Sequence, residues 1–269
     1  MPQTNRAAST RDLREYGRQM VLDIIRNRER IARIDISRET GVSPATVTAI
    51  ASELIAAGLI EEVSSRPSSV QPSSVQPSSG QPRAETNNSK RGRPRVALQL
   101  RGTAHRLAGL KVGRRAITAL IMDFAGRRLA QHSMAMTQAE RSPLQLGQQI
   151  RRALAETCER ADITVEHLSG VGIGLSGLVD ATRNFVYWSP ALSGRNVALG
   201  QLFEQLVPCP VFIENDANLV AKAESLFGDG RNHSDFIVVT VGQGVGMGVV
   251  LNRKIYRGIC GCGAELGHT

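Results

Sequence analysis

No run of 18 apolar residues occurs in the sequence, so no segment is expected to cross a bilayer as a helix. The opening residues, MPQTNRAASTRDLREYGRQ, lack the short apolar core of a secretory signal peptide. Cysteine is scarce. Cys158, Cys209, Cys260 and Cys262 show no disulfide framework, which excludes a cysteine-stapled secreted scaffold and fits a reducing compartment. Aromatic residues are also few, at 4%. These absences leave a cytoplasmic protein with no membrane partner as the expectation. What is present is a polypeptide of 269 residues, length for one to two domains and ample for a core. Its net charge is +9, unevenly spread: residues 1–101 hold 16 Lys and Arg against 10 Asp and Glu. A basic N-terminal third points to a polyanionic partner, most simply nucleic acid, although a merely soluble basic protein would share the charge.

Residues 11–28 read as an amphipathic helix, with Leu13, Gly17, Met20, Val21, Ile24 and Ile25 on one stripe. A short helix over about Arg33 to Thr40 follows, then a tight turn at Gly41-Val42. Ser43-Pro44 is a helix start: the serine caps free N–H groups, and proline in the first turn loses no hydrogen bond. The third helix, PATVTAIASELIAA, buries Val47, Ile50, Ala51, Leu54 and Ile55, and Gly58 ends it. LIEEV, residues 59–63, reads as a strand. Three helices, a glycine turn before the third and a strand after it make a winged helix-turn-helix, with a generic helical bundle as the bland alternative. The outer face of the third helix offers Ser43, Ala45, Thr46, Thr48, Ala49 and Ser52. It holds no Arg, Asn or Gln for bidentate base reading, so its contacts with bases are expected to be modest.

From residue 64 to 90 the composition changes. Prolines recur at 67, 72, 77 and 82 in a Pro/Ser/Gln-rich repeat that cannot bury enough apolar surface to order itself, and the stretch is expected to be disordered. After it comes KRGRPRVALQL, whose alternating Val96, Leu98 and Leu100 predict a strand over 95–100. Paired with 59–63, that strand makes a wing, and the repeat becomes an expansion of the wing tip. A charge run such as KRGRPR is commonly just solvated. On a wing beside a reading helix, its Arg91, Arg93 and Arg95 are suited to the narrow, strongly negative minor groove of A·T-rich DNA.

From about Gly102 the pattern turns α/β. Strands are expected at 106–112 and 116–123, joined by a Gly-Arg turn, and over RRLAQHSMAM. Helices are expected at 143–161 and over NVALGQLFEQL. GVGIGLSGLVD is a strand entering a glycine loop, and PVFIENDANLVAKAESLFG is a strand, a polar turn and a helix. DFIVVTVGQGVGMGVVLNRKIYRG is a strand, a glycine-rich turn and a returning strand. The division is therefore 1–101, a DNA-binding domain, and 102–269.

The order GLSGLVD, IENDANLVAKAE, VGQGVGMGVVLNRKIYRG and GAELGHT resembles the ROK family of repressors, open-reading-frame proteins and sugar kinases, and the resemblance covers residues 11–269. It implies an actin-like, ribonuclease H-like α/β domain of two lobes with sugar bound between them. It also implies that winged-helix members repress sugar-metabolism genes and carry Gly-Arg-Pro on the wing, as Gly92-Arg93-Pro94 does. Family members run on past the point corresponding to Thr269, so the second lobe is expected to be incomplete and the sequence truncated at its C-terminus. Asn215, Asp216, Glu265 and His268 match the family's sugar contacts, and Asp216 matches the kinases' general base. The bland alternative is that Asn-Asp caps the following helix. His268 also matches a zinc ligand whose companion cysteines lie downstream in the family; one histidine does not hold zinc, and a site from Cys260, Cys262 and His268 would be new.

Phosphoryl transfer needs glycine amides and a small hydroxyl around the phosphates. Where the family's kinases carry Asp-x-Gly-Gly-Thr, this protein has Lys111-Val112-Gly113-Arg114-Arg115, and Gly242-Gln243-Gly244 stands for Gly-Thr-Gly. No ATP site and no catalysis are expected. The leading expectation is a repressor, dimeric or tetrameric, that binds an A·T-rich operator and answers to a sugar or sugar phosphate. The rival readings are an ATP-dependent sugar kinase with a DNA-binding appendage, and a protein that binds DNA regardless of sugar.

Overall fold

The computed structural model describes residues 10–64, 96–136, 141–242, 244–258, 261 and 263, with only the backbone of 10–13. The protein divides into two compact units, Met1–Arg101 and Gly102–Thr269. No helix among the described residues is long and apolar enough to cross a membrane.

In the first unit α1 (Thr10–Arg28), α2 (Arg33–Thr40) and α3 (Pro44–Ala56) accompany a sheet of β1 (Ile31–Ala32), β2 (Ile60–Ser64) and β3 (Val96–Leu100). Periodicity dictates this. Val21 and Ile25 of α1, Ile36 of α2, and Val47, Ile50, Ala51 and Leu54 of α3 close one core with Ile31, Ile60 and Leu98. Gly41 stops α2 in the left-handed region, φ 71°, with its N–H on the Ser37 carbonyl at 3.0 Å. Ser43 caps α3 as expected, accepting from the Thr46 N–H at 3.2 Å. The wing forms with β2 and β3 antiparallel, Ile60 opposite Leu100 and Ser64 opposite Val96. Ser64 is thus the last residue of a strand, a correction to the linker start at 64: its backbone has a partner that composition does not reveal. The rest of the repeat, and Arg95, lie outside the described residues. β1 had no sequence signal; two residues become a strand because β3 offers a free edge, Ile31 opposite Leu98.

Leu98 is fully buried and belongs to the strand that pairs with both neighbours. Leu98→Ala is expected to destabilise the first unit by about 2–5 kcal/mol, read as faster amide hydrogen exchange in α1–α3 while the second unit's amides keep their protection.

The second unit is built on a five-stranded sheet of β4 (Arg106–Val112), β5 (Ala116–Asp123), β6 (Arg128–Ala135), β7 (Gly170–Leu175) and β10 (Val211–Asn215). The strand order is β10-β7-β4-β5-β6. β10, β7 and β4 run parallel; β5 is antiparallel to β4, and β6 to β5. α4 (Pro143–Arg160) lays Leu146, Ile150, Ala153 and Leu154 into the core with Ile117, Ala119 and Ile121. β8 (Leu178–Asp180) and β9 (Phe185–Trp188) form a hairpin of which only the entry was expected. α5 (Leu199–Leu206) is shorter than NVALGQLFEQL implied. Asn196 has φ 56°, which no helix continues, and Val197 bridges to Val186. α6 (Asp216–Phe227) follows β10 directly. β11 (Phe236–Val241), β12 (Val245–Leu251) and β13 (Lys254–Ile255) make a separate antiparallel sheet, in which Gly246 and Gly248 pack against Ala217 of α6. Ile237, Val239 and Val241 of β11 are exposed.

Candidate functional site

The strand-to-helix junction β10–α6 gathers the polar groups of the second unit. Asn215 is the N-cap of α6: its side-chain oxygen accepts from the Asn218 N–H at 3.1 Å, and its amide donates to the Gly177 carbonyl at 3.0 Å. Asn215 is therefore the N-cap, and Asp216 takes a share in satisfying the first-turn N–H groups. Asp216 opens the helix. One carboxylate oxygen accepts from the Ala217 N–H at 3.0 Å and the other from the Ser176 hydroxyl at 2.6 Å. Asp216 is half-buried, and each oxygen retains a second lone pair for a ligand hydroxyl.

Three groups at this junction were not singled out from the sequence. Ser176 and Gly177 sit in the loop after β7, and Glu214 precedes the cap. Glu214 takes the Asn215 N–H at 3.0 Å and the Asn218 amide at 3.1 Å on one oxygen, and the Arg257 guanidinium at 2.6 and 2.8 Å on the other. The available signal was local: Gly-Leu-Ser-Gly follows an apolar strand, the place where a ligand loop forms in an α/β sheet. Gly177 has φ 117°, and a Cβ there would lie 2.2 Å from the Trp188 carbonyl oxygen. Gly177→Ala is expected to cost the second unit at least about 2 kcal/mol and to displace Ser176 from Asp216, read as a lower melting temperature. Glu265 and His268, predicted to join this site, lie outside the described residues.

The turn between β4 and β5 is a tight hairpin, with the Gly113 N–H on the Ala116 carbonyl at 2.9 Å and Lys111, Arg114 and Arg115 exposed. The Arg114 carbonyl is taken by Arg141 at 3.1 Å. A second turn joins β11 to β12 through the Gly242 N–H and the Gly244 carbonyl, 2.9 Å apart; Gln243 lies outside the described residues. No three His, Cys, Asp or Glu side chains among the described residues are placed to hold a metal ion. Cys260 and Cys262, like His268, lie outside them. The Cys158 thiol is pushed up to about 11 by burial first, with Cys209 and Glu166 adding, so it is not a nucleophile at neutral pH.

In the first unit, Ser43, Ala45, Thr46, Thr48, Ala49 and Ser52 are all exposed, Ser43 at the cap and the others on α3. The Thr48 hydroxyl donates to the Pro44 carbonyl at 2.8 Å and the Ser52 hydroxyl to the Thr48 carbonyl at 2.9 Å. Ser43 and Thr46 share a hydrogen bond of 2.8 Å. With three of these four hydroxyl protons spent inside the helix, the face presents mainly acceptor lone pairs and methyl groups. Phosphates need donors.

Charge places those donors elsewhere. Residues 14–64 and 96–101 contain eight arginines and eight carboxylates, so this part of the first unit is neutral. Among these residues the ion pairs are Arg14–Glu53, Arg26–Asp23, Arg28–Glu39, Arg33–Glu62, Arg38–Asp35 and Arg101–Glu61. Residues 65–95 carry six Lys and Arg against one Glu. The positive charge of the first unit therefore resides mostly in a segment, Arg91, Arg93 and Arg95 included, that lies outside the described residues.

The family model described as "ROK family" matches residues 107–269, and one described as "Winged helix-turn-helix DNA-binding" matches residues 18–61. A xylose repressor of Caldicellulosiruptor bescii is 28% identical over 259 residues, which is 96% of this chain and 59% of that protein. The crystal structure of a ROK family transcriptional regulator, a homolog of the E. coli MLC protein, superposes with a TM-score of 0.70 at 26% identity. The match covers 94% of this chain and 58% of the regulator. A ROK family glucokinase from Streptomyces griseus, solved with glucose and AMPPNP, is 34% identical with a TM-score of 0.54. That match covers 61% of this chain and 50% of the kinase. The protein thus spans about three fifths of these regulators and half of the kinase.

Proposed function

The protein belongs to the ROK family, and from that premise we propose that it is a DNA-binding transcriptional repressor of carbohydrate-metabolism genes that responds to a sugar and does not phosphorylate it. The observation that carries this reading is the contrast within the second unit. The Ser176–Asp216–Asn215–Gly177 network is assembled, while the turn that would grip nucleotide phosphates presents Lys111, Arg114 and Arg115. A carboxylate accepts a sugar hydroxyl with or without chemistry; a phosphate cradle needs glycine amides and a hydroxyl, and here two arginines stand in their place. The comparisons support the same side. Likeness to the regulators extends over both units, and likeness to the glucokinase covers 61% of the chain.

In this reading α3 enters the major groove, where its acceptors and methyls meet base edges. Arg91, Arg93 and Arg95 supply the affinity in an A·T-rich minor groove. A dimer would read two half-sites on one face of the duplex. Sugar contacts Asn215 and Asp216, with Glu265 and His268 assigned to the same cleft, and the reading assigns neither ATP nor zinc to these 269 residues. Regulation follows only if the sugar binds two states of the protein unequally.

The test is fluorescence anisotropy on upstream DNA with a panel of xylose, glucose and N-acetylglucosamine, run beside an ATP-dependent phosphorylation assay on the same sugars. Sugar-dependent change in DNA affinity without turnover is expected. Magnesium-dependent turnover would establish the kinase reading, and DNA binding indifferent to every sugar would establish a constitutive binder.

A further inference from the structure

We propose that the open groove between α6 and the β12–β13 turn is a binding site for a phosphoryl group, a site separate from the hydroxyl-binding network at Asp216. The groove, about 340 Å³, is lined by Glu214, Asn218, Leu219 and Ile255 together with the cations Lys222, Arg253, Lys254 and Arg257, a size at the lower end of small-molecule sites. Four of these side chains are cations and one is an anion. The anion does not face the groove as a free charge: both Glu214 oxygens are committed, one to the Asn215 N–H and the Asn218 amide, the other to Arg257. Lys222 and Lys254 are exposed and form no ion pair among the described residues. The wall therefore carries an uncompensated positive field, which a small dianion neutralises better than a neutral sugar or a single carboxylate would.

The turn that brings two of these cations to the rim is built against backbone preference. Asn252 and Arg253 have φ 51° and 62°, the left-handed pair of a two-residue hairpin, where glycine is the favoured second residue. Arg253 occupies that position instead. Its guanidinium reaches the Arg231 carbonyl at 3.5 Å, a weak contact that leaves its other donors for a ligand, and its own N–H is held by the Ser234 carbonyl at 2.8 Å.

Free phosphate and a sugar phosphate both carry such a group, and titration calorimetry on the 269-residue protein separates them. The probes are inorganic phosphate, glucose 6-phosphate and glucose at constant ionic strength. Saturable phosphate binding is expected, weakened at least about tenfold in Lys222→Gln/Lys254→Gln, with glucose binding unchanged. Arg253→Gly is expected to weaken phosphate binding while its melting temperature stays level or rises, because glycine adopts the left-handed turn freely. Tighter binding of glucose 6-phosphate than of phosphate assigns the group to a sugar ligand; equal binding assigns it to free phosphate. No saturation at concentrations on the order of 10 mM, or undiminished binding in the double variant, overturns the proposal. An Arg253→Gly variant that melts lower overturns the role given to Arg253. Asp216→Ala keeps the two readings apart: it weakens glucose binding about 10- to 100-fold and leaves inorganic phosphate binding intact.

Discussion

Replacing Arg91, Arg93 and Arg95 together by alanine is expected to lower affinity for A·T-rich duplex DNA on the order of 100-fold near 0.1 M salt, and to reduce the slope of log affinity against log salt by about 2 to 3. Charge accounting leads to this result. Residues 14–64 and 96–101 are neutral, with six of their eight arginines in ion pairs, and three of the four hydroxyls at Ser43, Thr46, Thr48 and Ser52 donate to the helix backbone or to a neighbouring hydroxyl. Few donors remain there for phosphates. Each lost guanidinium removes about one released counterion. Lysine at the three positions separates charge from shape: the salt slope should persist, while preference for A·T-rich centres falls, because an ammonium lacks the flat, weakly hydrated fork suited to a narrow groove. An unchanged slope in the alanine variant would mean that the DNA is held by another surface.

Asp216→Ala carries the second large effect. Sugar affinity is expected to fall about 10- to 100-fold, with the sugar response of DNA binding lost and sugar-free DNA affinity unchanged. The carboxylate is the charged acceptor of the network, and its loss also leaves the Ser176 hydroxyl without the 2.6 Å partner it has in the folded unit. Asp216→Asn is the informative companion. It keeps the volume and one acceptor, so a partial loss with the same melting temperature isolates the charge from the packing. Calorimetry with the sugar panel measures the first effect and anisotropy on operator DNA the second. A normal response in Asp216→Ala would remove Asp216 from the effector site.

Most of the helical architecture is legible in the residues. Val47, Ile50, Ala51 and Leu54 recur at helical spacing, and they are the residues α3 buries. Ser43-Pro44 and Gly41 act through local backbone chemistry, so start and stop are readable from the residues themselves. The wing is legible because Val96, Leu98 and Leu100 alternate. β1 is not, since two residues carry no period and exist as a strand only where β3 presents an edge. The β8–β9 hairpin escapes for a similar reason, being short and shifted in register at Leu178/Val179. In the candidate site, Asn215 and Asp216 were found through the resemblance. Their roles were not separable there, because asparagine and aspartate are both good helix caps.

Local chemistry was thus settled by residue order: where helices begin and end, which faces are apolar, and where positive charge accumulates. So was the presence of a lysine and two arginines where a phosphate cradle would need an acid, a glycine and a hydroxyl. Folding in three dimensions made the remaining assignments. Asn215 became the cap and Asp216 the acceptor of the Ser176 proton, Glu214 was consumed by Arg257, and six arginines of the first unit found carboxylates. Those outcomes depend on distances between residues as far as 43 positions apart, and a hydrogen bond or ion pair is set by ångströms in space, which no spacing along a sequence encodes.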